Sequence, residues 1–82
     1  MMITLKLWGH FPQFLPDGAE GYAAEVEVPD NATAREIAEL FGVPFDECRL
    51  MLLNGITHPS PPVWGDIRLK EGDAIAILPN IH

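Results

Sequence analysis

Ile3, Leu5 and Leu7 alternate with Thr4, Lys6 and Trp8 at the start of the chain, a period of two that predicts a strand with one set on each face. Gly9 and Pro12 end it, and the glycines and prolines from Gly9 to Gly21 predict a loop. Phe11, Phe14 and Leu15 in that loop are expected to fold back over an edge of the core. A second strand follows, with Tyr22, Ala24, Val26 and Val28 on one side, Glu25 and Glu27 on the other, and Pro29 as its stop. The two predict an antiparallel pair. The period then changes. Thr33 and Glu36 match the capping box, in which each side chain satisfies a backbone N–H at a helix start. Ala34, Ile37, Ala38, Leu40 and Phe41 recur at helical spacing, and Gly42 stands where a left-handed C-terminal cap is wanted.

Residues 44–48 allow one further short turn, since Pro44 suits a first helical position. Leu50 to Leu53 is a continuous apolar run that ends in Asn54-Gly55, a strong hairpin signal. Pro59, Pro61 and Pro62 exclude a central strand between Ile56 and Val63. Trp64 to Leu69 suggests one more short strand or a turn, Lys70 to Asp73 a turn, and Ala74 to Leu78 a final apolar strand. Pro79-Asn80-Ile81-His82 is read as a tail. The last strand is the most uniformly apolar, so it is expected at the centre of the sheet beside the first, because buried strands lose their alternation. These elements predict an α+β chain of β-grasp (ubiquitin-like) type. It is one domain over residues 1–82, a mixed four- to five-stranded sheet with one main helix on one face.

Charge narrows the function. Five Lys and Arg against twelve Asp and Glu give a net charge of −7, which repels phosphate backbones and anionic membrane surfaces. Neither nucleic acid nor membrane is an expected partner, and no apolar run reaches the ~18 residues that a spanning helix needs. With 48% hydrophobic residues the chain is too apolar for disorder. A soluble, cytoplasmic protein is expected. One cysteine, Cys48, excludes an internal disulfide framework. So small a core favours a binding or carrier role over an enzyme, and no cofactor is expected.

The candidate sites are few. His10, His58, His82 and Cys48 could ligate a metal, but none falls at a zinc spacing, so they read as incidental. Cys48 could handle sulfur as a thiolate. Asp46 and Glu47 beside it oppose that charge, however, and a structural cysteine is favoured. Asp30, Glu36, Glu39, Asp46 and Glu47 read as capping and solvated carboxylates rather than acid–base catalysts. The sheet face carrying Trp8, Met51, Leu53, Ala74, Ala76 and Leu78 has two readings. Either it is an open apolar patch that docks a partner, with Trp8 and Trp64 as anchors, or loops holding Phe11, Phe14, Pro61 and Trp64 cover it.

Val26-Glu27-Val28-Pro29 before the capped helix, Leu53-Asn54-Gly55 after it, Leu69-Lys70-Glu71-Gly72-Asp73 and Ile75-Ala76-Ile77-Leu78-Pro79 together resemble the MoaD/ThiS family of ubiquitin-like sulfur carriers. The resemblance covers nearly the whole chain. It implies a carrier without enzymatic activity, whose C-terminal Gly-Gly is adenylated by an ATP-dependent partner enzyme. The resulting thiocarboxylate gives sulfur to a synthase making molybdopterin or the thiazole of thiamine. Pro79, Asn80, Ile81 and His82 would then enter the partner. The diglycine is absent from the sequence as it stands. That leaves an inactive carrier, a chain short of its last residues, or a non-carrier β-grasp interaction module.

Overall fold

The computed structural model describes residues 1–80. Its strands are β1 (Met2–Leu7), β2 (Ala23–Glu27), β3 (Cys48–Leu53), β4 (Ile56–His58) and β5 (Ala74–Pro79), joined in one sheet in the order β2-β1-β5-β3-β4. β5 runs parallel to β1 and antiparallel to β3, so the last strand fills the centre as the β-grasp reading expects. Helix α1 (Ala34–Leu40) crosses one face.

Local chemistry sets the ends of α1. Thr33 Oγ1 accepts the Glu36 amide at 3.1 Å, and Glu36 Oε1 accepts the Thr33 amide at 2.9 Å, which completes the capping box. At the other end Gly42 has φ +78°. The Gly42 amide donates to Glu39 O at 3.0 Å and the Val43 amide to Ala38 O at 2.9 Å, the pair of bonds of a Schellman motif. Both helix ends were therefore legible residue by residue.

The proline-rich stretch departs from expectation. Ile56–His58 forms a three-residue edge strand, which Pro59 stops before it can lengthen. Pro61–Trp64 then forms a single helical turn, α2, in place of irregular chain. Prolines suit the first helical positions because their missing N–H has no intrahelical partner there in any case. Trp64, expected in a strand or turn, ends that helix fully buried, with its indole N–H donating to Arg49 O at 3.3 Å. Among the described residues, Trp64 to Leu69 forms no strand and makes one isolated bridge, from Arg68 to Thr33.

The core lies between α1 and one sheet face. Ile3, Leu5, Leu7, Met51, Ile75 and Ile77 come from the strands, Ile37 and Ala38 from the helix, and Phe11 and Trp64 from the connections. Each large apolar side chain so buried contributes about 1.5–3 kcal/mol. Phe14 and Leu15 pack at its edge, as the loop reading expects.

One polar link crosses this frame. The β3–β4 turn has Asn54 at φ +50° and Gly55 at φ +86°, the left-handed pair a two-residue hairpin requires. Asn54 Nδ2 donates to Asp73 Oδ1 at 3.1 Å, while Asn54 Oδ1 accepts the Ala74 amide at 2.8 Å. Asp73 Oδ2 also accepts the Lys70 amide at 2.8 Å. The Asn-Gly and Gly-Asp turns, read separately in the sequence, thus bind one another and set where β5 begins.

Candidate partner face and C-terminal exit

Side-chain alternation divides the sheet into two faces. In β1, Ile3, Leu5 and Leu7 are buried toward the helix, and Thr4 and Lys6, with Trp8 just beyond the strand, lie on the other face. Cross-strand pairs share a face, so Thr4↔Ala74 and Lys6↔Ala76 carry Ala74 and Ala76 to that second face. Leu50↔Leu78 and Leu52↔Ala76 add Leu50, Leu52 and Leu78. This second, open face therefore bears Trp8, Ala74, Ala76 and Leu78, of which Ala76 is buried. Met51 and Leu53 require correction: they pair with Ile77 and Ile75 and face the helix, Met51 with no exposure and Leu53 packed against the core. A continuous apolar run gives no alternation from which its phase can be read. Leu50 and Leu52 are the residues missed, and the signal was the pairing register rather than composition.

This face carries Thr4, Lys6, Glu25 and Glu27 beside its apolar residues, and it has a depression lined by Lys6, Trp8, Leu52, Gly55, Ala74, Ile75 and Ala76. Phe11 and Trp64, read as candidates to cover it, join the core cluster, so Trp64 is no surface anchor, while Gly9, Pro12 and Tyr22 gather around Trp8. Trp8 remains one. It is half-buried, stacked edge-on against Tyr22 at 5.8 Å and 88°, and its Nε1 has no acceptor among the described residues.

Pro79 and Asn80 were expected in a free tail, and the structure corrects this. Pro79 is the last residue of β5, buried and paired with Cys48, and the Asn80 amide donates to Glu47 O at 2.8 Å. Ile81 and His82, the rest of the expected tail, lie outside the described residues. Chain departure is flanked by the turn after β1 and the short 3-10 turn Phe45–Glu47, whose side chains His10 and Glu47 meet at 3.3 Å.

Cys48 is buried, with Sγ 3.5 Å from Pro44 O. Burial, with Asp46 and Glu47 adding to it, pushes its thiol up to about 12, which opposes thiolate formation, and Cys48 packs in the core. Among the described residues no three His, Cys, Asp or Glu side chains converge as a metal site would require, nor is any helix long and apolar enough to cross a membrane. Glu36 serves the helix cap, whose hydrogen bonds from Thr33 hold its carboxyl below the usual range.

Comparison with known proteins places this geometry. The family model described as Mut7-C ubiquitin matches residues 1–82. No curated protein matches the chain. Among solved structures, a protein of Pyrococcus furiosus assigned as molybdopterin converting factor, subunit 1, is similar at 22% identity and TM-score 0.63, covering 98% of each chain. SAMP1 from Haloferax volcanii is similar at 19% identity and TM-score 0.64, covering 99% of this chain and 97% of that one. At such identities the likeness establishes the fold, a ubiquitin-like β-grasp.

Proposed function

This chain belongs to the Mut7-C ubiquitin family, and we propose that it works as a small sulfur-carrier-like protein of the MoaD/ThiS type, without enzymatic activity of its own. An ATP-dependent adenylating enzyme would dock on the open face around Trp8, Leu52, Ala76 and Leu78 and take up the segment beyond Pro79. A sulfur-accepting synthase, for molybdopterin or the thiamine thiazole, would follow as the second partner. The supporting observation is the central strand. β5 passes between β1 and β3 and carries the chain to one end of the sheet, beside the face that bears Trp8, Leu52, Ala76 and Leu78. A carrier needs that combination of a rigid docking surface and a chain end delivered at its margin.

A second reading is a non-carrier interaction module using the same face. It requires the docking face alone and no chemistry at the chain end. The discriminating experiment incubates the chain with ATP and the adenylating enzyme encoded in the same genome, scored by intact mass. An adenylate or thiocarboxylate on the chain, or on the chain with Gly-Gly appended, supports the carrier. Complex formation with no product on either chain leaves the interaction module.

A further inference from the structure

Gly9 has φ +66°, and a Cβ on it would lie 2.6 Å from Pro79 Cγ and 3.0 Å from Pro79 Cδ. Real Cβ atoms do not approach neighbours that closely, and the left-handed backbone independently favours glycine. Gly9 follows β1, and Pro79 ends the strand lying between β1 and β3. On the β3 side Pro79 pairs with buried Cys48, and the next amide, that of Asn80, is bound to Glu47 O at 2.8 Å. The two walls are joined by the His10–Glu47 contact at 3.3 Å.

We infer that Gly9 and the Glu47 carbonyl form a clasp around Pro79 and Asn80 that fixes where the C-terminal segment leaves the sheet. Gly9 is then a positioning residue: it decides how much chain a processing enzyme can reach. The purpose of the clasp rests on the carrier reading, but its geometry does not. By holding Asn80 the clasp keeps the departure point in a fixed relation to the open face. A partner docked on that face would meet the segment at one place.

The test uses the 82-residue chain with Gly9→Ala, Pro79→Ala, the double variant, and Gly18→Ala as control. Gly18 shares the left-handed backbone at φ +89°, yet has no atom within 4 Å of an added Cβ, so it reports backbone strain alone. Relative to Gly18→Ala, Gly9→Ala should speed exchange of the Asn80 amide and thiol labelling of Cys48 by at least about tenfold, as local opening of that strand end requires. Carboxypeptidase Y trimming, followed by mass, should stop short of Asn80 in the parent and pass it in Gly9→Ala. Removing the proline ring removes the clash, so the double variant should recover slow labelling and the shorter trimming. If Gly9→Ala fails to fold, folding of the double variant carries the same conclusion. Equal behaviour of Gly9→Ala and Gly18→Ala, or a double variant no better than Gly9→Ala, overturns the clasp. Failure of the carrier reading would show separately, as absence of adenylate on chains whose clasp is intact.

Discussion

Asp73 offers the sharpest measure of how the fold sets the sheet's register. It is 9% exposed, and its two oxygens accept the Lys70 amide at 2.8 Å and Asn54 Nδ2 at 3.1 Å. Asp73→Ala strips both donors of their acceptor. Hydrogen bonds to a charged group contribute about 1.5–3 kcal/mol each. Lys70 is exposed and can turn to water, so the expected loss is about 3 kcal/mol rather than the full sum. A chain of this size has a total stability of about 4–12 kcal/mol, so the loss is a large share of it. The melting temperature should fall by about 12–24 °C. Asp73→Asn keeps one acceptor oxygen for the Lys70 amide but sets an amide against Asn54, and should cost roughly half as much. Urea and thermal unfolding give the energies, and a cycle with Asn54→Ala should show coupling of about 0.5–3 kcal/mol. Exchange of the Ala74 amide, held by Asn54 Oδ1, should speed in the same variants. The reasoning fails if Asp73→Ala unfolds within about 0.5 kcal/mol of the parent, the spread of ordinary surface changes. It fails equally if the asparagine and alanine variants cost the same.

Further outcomes are expected. Met51→Ala should cost about 2–5 kcal/mol as a core truncation, whereas Leu52→Ala, one residue along on the open face, should cost well under half of that in the same urea titration. Thr33→Ala should cost about 1 kcal/mol through loss of the cap. Because the Glu36 carboxyl is held below its ordinary value of 4.5, its contribution is complete above that pH and is lost as pH falls through the lowered value; Glu36→Gln should flatten that part of the stability–pH curve. Acrylamide should quench the single tryptophan of Trp64→Phe, which is Trp8, and spare that of Trp8→Phe, which is Trp64; the reverse order would refute the assignment of faces. A thiol reagent at mildly alkaline pH should label native Cys48 only as fast as the chain opens, since burial pushes the thiol up to about 12.

What local backbone chemistry can specify is already written along the chain. Thr33, Glu36 and Gly42 marked both ends of α1, Asn54-Gly55 marked the hairpin, and the alternation in β1 assigned its two faces, because each signal acts within a few residues. The apolar character of β5 likewise pointed to the centre of the sheet. Tertiary structure alone decided the phase of β3. Leu50, Met51, Leu52 and Leu53 are all apolar, and only pairing with β5 sends Met51 inward and Leu52 outward. It also decided the fate of Trp64, which two prolines place on a helical turn facing the core, and that of Pro79 and Asn80, which contacts from Gly9 and Glu47 draw into the sheet. Those partners are far apart along the chain, and no periodicity within one segment records what a distant segment brings to it.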